Sequence, residues 1–190
     1  MHWTCCHVAE FSGDDLQKVY RQLSPSRKVH IDRFHRQEDK NRSLVGERLV
    51  QQLLQTYYGI TGATLHRGET GQPYLTGCDL YVSISHCEEM IACAVSEVPV
   101  GIDIERLRPI DRKLCAKVCV AEEQHYVLRD EEAEGLCEDP QILQRFFEVW
   151  TGKEAWFKKC GTGITDLKSV NILPMPRQFH VIDDYILQII

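Results

Sequence analysis

The chain is 190 residues long, with 43% hydrophobic and 26% charged residues and a formal net charge of −6. These proportions are globular: they suit one large domain or two small ones and exclude bulk disorder. The acidic balance argues against a general nucleic-acid binder, and no apolar run approaches the ~20 residues that span a bilayer, so no membrane partner is expected.

The N-terminus, Met1-His2-Trp3-Thr4-Cys5-Cys6-His7, lacks the basic stretch and apolar run of a signal peptide, which points to a cytoplasmic protein. Its nine cysteines include no Cys-x-x-Cys pair and read as reduced thiols filling small apolar spaces. Zinc ligation by His2, Cys5, Cys6 and His7 is the weaker alternative, because a second ligand pair at the usual spacing is missing. From Arg21 to Arg48 the basic residues Arg27, Lys28, Arg33, Arg36, Lys40 and Arg42 outweigh Asp32, Glu38, Asp39 and Glu47. This run would give an anionic ligand a positive wall in an otherwise acidic protein.

Leu44, Val45, Leu49, Val50, Leu53, Leu54 and Tyr57 recur at three- and four-residue spacing and predict a helix from about Asp39 to Tyr58, stopped by Gly59. A turn region follows at Gly68–Gly77, then short β-like runs at Leu80–Ser85, Met90–Ser96 and Val100–Glu105, with Cys87-Glu88-Glu89 as a hairpin connection. Asp139-Pro140 starts a second long helix outlined by Ile142, Leu143, Phe146, Phe147, Trp150 and Phe157, which Gly161 and Gly163 end. Asp166–Leu173 and Gln178–Ile190 read as strands. Each half thus runs long helix, glycine-rich turn, antiparallel strands. The layout predicts an α+β fold of two similar lobes, 1–99 and 100–190, with the active site between them. The acidic stretch Ala121–Asp139 reads as a solvated face.

In Val100-Gly101-Ile102-Asp103-Ile104-Glu105 the two carboxylates would share one face of a strand. Such a pair repels unless a cation lies between or one takes up a proton, and hard oxygen ligands suit Mg²⁺. A solvent-facing edge strand is the plain alternative. In Trp150-Thr151-Gly152-Lys153-Glu154-Ala155-Trp156-Phe157-Lys158, Trp150, Glu154 and Lys158 share a helix face, and taken alone Glu154/Lys158 is an ordinary ion pair.

Together the two segments resemble the signature of the 4′-phosphopantetheinyl transferases, Val-Gly-Ile-Asp-x-Glu followed by Trp-Thr-x-Lys-Glu-Ala-x-x-Lys. The single-chain, surfactin-synthetase-activating type fits best. Ser24-Pro25-x-Arg27, the stretch from Arg33-Phe34 through Glu38-Asp39 and Arg42 to Gly46, Gly71-x-Pro73 and Ile84-Ser85-His86 follow that group's order, so the similarity runs from about Ser24 to Gly163.

The resemblance implies a pseudo-twofold fold and transfer of the phosphopantetheine arm of coenzyme A to a serine of an apo acyl or peptidyl carrier protein. It implies Mg²⁺, with Mn²⁺ as a substitute, held by Asp103, Glu105 and Glu154. Lys158 resembles the lysine on the phosphate under attack, and Glu154 or Glu123 is the base. Arg27, Arg42 and His86 match positions holding the coenzyme A phosphates, with Ser85, His30, Gln72 and Pro73 in the same pocket; without the match His86 would read as structural. Gln72 and His30 stand where relatives often carry lysine, which thins the pocket's charge, and Cys87 replaces a second serine. The segment after Gly163 is shorter than in larger relatives. The resemblance also implies a monomer. Ile110–Leu128, just past the metal strand, reads as the carrier-docking surface, where Leu114, Val118, Val120 and Val127 supply an apolar patch or, for at least half of them, pack in the core. Two other readings, a Mg²⁺-dependent phosphohydrolase and a degenerate carrier-binding homologue, lack respectively a phosphoenzyme nucleophile motif and the loss of metal ligands.

Overall fold

The structure, a computed structural model, describes residues 1–68, 71–129 and 135–190. Part of the expected Gly68–Gly77 turn and the centre of the acidic Ala121–Asp139 stretch lie outside the described residues. The chain divides into two compact units, Met1–Val100 and Gly101–Ile190. Both mix helices with small antiparallel sheets, an α+β fold.

The first unit holds strand β1 (His2–His7), helices α1 (Gly13–Gln22), α2 (Pro25–Asp32) and α3 (Gln37–Tyr58), and strands β2 (Thr64–Arg67), β3 (Pro73–Thr76), β4 (Tyr81–Cys87) and β5 (Met90–Ser96). The sheet order is β1-β5-β4, all antiparallel, and β2 and β3 form a separate hairpin. The predicted apolar stripe of α3 is buried: Val45, Val50 and Leu54 pack with Leu65, Ile91, Cys93 and Val95 in one core. Gly59 ends α3 in the left-handed conformation (φ 65°), where a side chain would clash with its own backbone. Ser12 and Ser24 cap α1 and α2 by accepting backbone N–H bonds from Asp15 and Arg27. Sequence reading missed both helices, although Leu16, Val19, Tyr20 and Leu23 follow the Ser12 cap of α1 at helical spacing. The expected turn at Gly68–Gly77 instead contains β3, whose register sets Leu65 against Leu75 on the core face.

The second unit holds β6 (Ile102–Arg106), β7 (Ile110–Asp111), α4 (Lys113–Val118), α5 (Ala121–Leu128), β8 (Leu136–Cys137), α6 (Pro140–Cys160), β9 (Gln178–Ile182) and β10 (Tyr185–Ile189). Its three-stranded sheet has the order β6-β10-β9, and β7 pairs with β8. Asp139 caps α6 by accepting from the backbone N–H of Gln141 and Ile142, Pro140 occupies the first turn, and Gly161 (φ 70°) closes the helix. Helix α6 buries Ile142, Phe146, Phe147 and Val149 together with Ile172 and Ile186.

Two strand expectations are corrected. Asp166–Leu173 is no strand: Asp166 caps a 3-10 turn at Leu167–Ser169, and the Lys153 ammonium binds the carbonyls of Leu167 and Val170, both at 2.7 Å. With those carbonyls taken, the segment has no edge to offer a ladder. Gln178–Ile190 is a hairpin rather than one run, turning at Asp183 (φ 51°). All nine cysteines are free thiols, with Cys6, Cys93, Cys115, Cys119 and Cys137 buried. Of the residues expected to form a docking patch, Val118 and Val127 lie in the core, leaving Leu114 and Val120 partly exposed. Among the described residues no helix is long and apolar enough to cross a membrane.

Candidate active site

The sequence of β6 alternates, and the strand puts the alternation to use. Asp103 lies opposite Gln188 and Glu105 opposite Ile186. Gln188 donates to the Glu148 carbonyl of α6, so the Asp103 face of the sheet is the one that meets this helix. Close approach is enforced at Gly101: a Cβ there would lie 1.8 Å from the Ala155 carbonyl oxygen. Gly152 repeats the device from the helix side, where a Cβ would meet Ile172 Cγ1 at 2.8 Å and Gln188 Oε1 at 3.0 Å. Both glycines belong to the two signature segments: Gly101 lets strand backbone meet helix backbone, and Gly152 makes room for the Ile172 and Gln188 side chains.

This contact sets Lys158 on Asp103. Lys158 Nζ donates to Asp103 Oδ1 at 2.5 Å, and Asp103 is 1% exposed while the lysine side chain is 29% exposed. Glu105 Oε2 accepts from Arg108 Nη1 at 2.7 Å, and the Arg108 guanidinium lies over the Phe147 ring at 4.9 Å. Glu154, one turn before Lys158, has its carboxyl pushed up to about 7 by burial first and the Asp103 charge second, against the opposing pull of Lys158. Glu105 adds to the upward push. Asp103, Glu105 and Glu154 are therefore close enough to feel one another's charge.

Among the described residues, however, no group of three His, Cys, Asp or Glu side chains is drawn together tightly enough to hold a metal ion. The chemistry of the set still fits one. A buried glutamate whose carboxyl is pushed up beside two further carboxylates makes a set of hard oxygen donors that a small divalent cation relieves.

Glu123 is placed elsewhere. It is fully buried: Oε2 pairs with Lys153 Nζ at 2.6 Å and accepts from Val120 N, while Oε1 accepts from Ile172 N at 2.8 Å. Both of its oxygens hold the chain together, and Lys153 is equally buried. The Lys of the Trp-Thr-x-Lys-Glu signature is thus the counter-ion of Glu123, a pairing with no local sequence signal.

In the first unit a cavity of about 280 Å³ is lined by His30, Phe34, Asp39, Arg42, Ser43, Gly46, Arg67, Gly71, Ile84, His86 and Ile91. Of the expected phosphate-binding residues it gathers His30, Arg42 and His86. Arg42 donates to Asp39 through Nη2 and to the Glu88 carbonyl through Nη1 at 3.2 Å. Ser85 alternates with Ile84 and His86 on β4 and faces the other side of the strand. Gln72 and Pro73 lie beside Gly71 without lining the cavity, and the Gln72 carbonyl accepts from Gly68 N at 2.9 Å. Arg27 is 4% exposed, bound through Nε to Glu47 Oε2 at 3.0 Å and through Nη2 to Ser43 Oγ at 2.9 Å. It borders a second cavity, of about 380 Å³, with Glu47, Gln51 and Gln55. Burial first, then the charges of Arg27, Arg67 and Arg33, push His30 below the ordinary histidine range. Arg67, at the end of β2, is the cation that sequence reading missed. It stands alone among polar neighbours and carries no motif.

A family model described as 4′-phosphopantetheinyl transferase, N-terminal, matches residues 10–98, and one described as the 4′-phosphopantetheinyl transferase superfamily matches residues 99–185. The chain is 31% identical over 160 residues to the 4′-phosphopantetheinyl transferase gsp of Aneurinibacillus migulanus, covering 83% of this chain and 61% of that protein. It is 30% identical over 171 residues to the 4′-phosphopantetheinyl transferase HetI of a Nostoc species, covering 86% and 70%. To the 4′-phosphopantetheinyl transferase Sfp of Bacillus subtilis it is 26% identical over 158 residues, covering 81% and 67%. The chain thus spans between 61% and 70% of the length of these relatives.

Proposed function

Because the chain belongs to the 4′-phosphopantetheinyl transferase superfamily, we propose that it transfers the phosphopantetheine arm of coenzyme A to a serine of an apo acyl or peptidyl carrier protein, releasing 3′,5′-ADP. The observation that carries this reading is the grouping of Asp103, Glu105, Glu154 and Lys158 where β6 packs on α6.

In the proposed reaction the serine oxygen attacks the β-phosphorus of coenzyme A, and the bond from that phosphorus to the bridging oxygen breaks as 3′,5′-ADP leaves. Asp103, Glu105 and Glu154 hold Mg²⁺, or Mn²⁺ in its place. When bound, the metal supplies positive charge to the pyrophosphate oxygens as their negative charge builds. Lys158, exposed enough to reach a ligand, turns its ammonium from Asp103 to the phosphate under attack. Such chemistry asks for positioning and charge neutralisation more than for a covalent step by the protein. Glu154 takes the serine proton on a carboxylate oxygen. In the metal-free protein, burial and its carboxylate neighbours raise its proton affinity, the direction a general base needs. Glu123, already bound to Lys153, keeps the helix that carries Glu154 in place.

Arg42, His86 and His30 grip the phosphates of coenzyme A from the cavity of the first unit. The helix-on-three-strands plan of each unit supports reading the two as copies of one design. The protein would act as a monomer in the cytoplasm. Incubation with coenzyme A, Mg²⁺ and each of several apo carriers, followed by intact mass, tests the reading. One phosphopantetheine gained by at least one carrier supports it, and no gain on any of them, with the protein folded, sinks it.

A further inference from the structure

We propose that Arg67 is the residue that reads the 3′-phosphate of coenzyme A, and so discriminates coenzyme A from its dephosphorylated form. The inference rests on the transferase reading and adds to it a specificity residue that neither of the two signature segments contains.

Arg42 is already engaged by Asp39, by the Glu88 carbonyl and, at 3.6 Å, by Glu89, so its charge is largely answered within the protein. Asp39, the acid of the same cavity, is taken up in that pair. Nearby Glu47 is bound by Arg27 at 3.0 Å. Arg67 has a different environment. Its one side-chain hydrogen bond among the described residues runs from Nη1 to the Gly71 carbonyl at 3.0 Å, and among the described residues no carboxylate lies within ion-pair distance of it, Glu47 acting on it only as a more distant charge.

It is also partly withdrawn from water. Burial first, and the like charge of Arg27 second, work against its protonated form. A guanidinium in such a place is stabilised by an anion that water alone does not replace. His30 is held toward its neutral form and contributes a hydrogen bond rather than charge. Among the described residues the cavity therefore offers a positive charge with no ion-pair partner, on a planar fork, with His30 and Ser43 in the same lining.

Coenzyme A brings two kinds of phosphate to the protein. Its pyrophosphate is the reacting group and belongs with Lys158 and the carboxylates. The 3′-monoester is the terminal one, with three free oxygens that a guanidinium fork binds in bidentate fashion.

Calorimetry of 3′,5′-ADP and 5′-AMP binding to the wild-type protein, Arg67→Gln and Arg67→Lys tests this without any carrier or transfer step. The wild type should prefer 3′,5′-ADP. Arg67→Gln should weaken that ligand by roughly 10- to 100-fold, the range for one charge-assisted contact, and leave 5′-AMP unchanged. Arg67→Lys, which keeps the charge and loses the fork, should fall between and serves as the test variant if Arg67→Gln does not fold. Equal loss for both ligands, no loss for either, or a wild type that does not distinguish them would each overturn the assignment. Failure of transfer to every carrier, with this preference intact, would sink the transferase reading and leave the Arg67 site standing.

Discussion

Lys158 Nζ sits 2.5 Å from Asp103 Oδ1, joining helix α6 to strand β6 through a carboxylate that is 1% exposed. The pair lies inside a single unit, where Gly101 lets the strand backbone meet that of the helix. The cation and the carboxylate answer each other at rest, and a divalent ion on Asp103 would free Lys158 for a phosphate.

Gly101→Ala should be destructive. Its Cβ would fall 1.8 Å from the Ala155 carbonyl, a backbone atom that cannot swing aside. Overpacking of this kind costs about 3 kcal/mol or more, and β6 would be pushed off α6. Thermal melts should show a large loss of stability, whereas Gly13→Ala, with nothing within 4 Å of its Cβ, should be neutral or slightly stabilising. A Gly101→Ala protein as stable as wild type would contradict the close-packing account.

Glu123→Ala should destabilise by about 3–5 kcal/mol, because it leaves the Lys153 ammonium buried without its counter-charge. The paired replacement Glu123→Leu with Lys153→Met should recover much of that loss, since both charges leave together. Denaturant unfolding of the single and double variants measures this. A double variant no better than the single one would mean that the carbonyl contacts of Lys153 to Leu167 and Val170, rather than the ion pair, hold the segment.

The raised carboxyl of Glu154 has a sign that melting curves can read. Between the ordinary glutamate value of 4.5 and about 7, the native chain keeps a proton that the unfolded chain has released. Stability from this group is thus present at low pH and falls as pH rises through that window. Glu154→Gln should flatten the slope across the same window. Mg²⁺ added above about 7, where the carboxylate is ionised, should raise the Tm of the wild type and not of Glu154→Gln. An unchanged slope in the variant would place the titration on another group.

Much of this was legible in the sequence, and the rest fails for identifiable reasons. Helices α3 and α6 showed themselves because each repeats its apolar residues over many turns and ends on glycine. Strand β6 did so through the alternation of isoleucine with Asp103 and Glu105. Gly101 and Gly152 were visible as motif letters, but their purpose depends on Ala155, Ile172 and Gln188, which meet them only through the fold. Lys153 carried no hint of Glu123 because burial and long-range pairing leave no periodicity. Asp166–Leu173 misled because its apolar content resembles a strand, while its carbonyls are claimed by a lysine from α6. Arg67 was missed for the converse reason: a cation matters in a cavity only when the charges around it are already spent.

The most direct test of the account is a side-by-side intact-mass measurement of an apo carrier protein after incubation with coenzyme A, Mg²⁺ and either the wild-type protein or Asp103→Ala. The account predicts a gain of one phosphopantetheine on the carrier with wild type, and none with an Asp103→Ala protein whose circular dichroism remains native. Near-normal loading of the carrier by folded Asp103→Ala would contradict it.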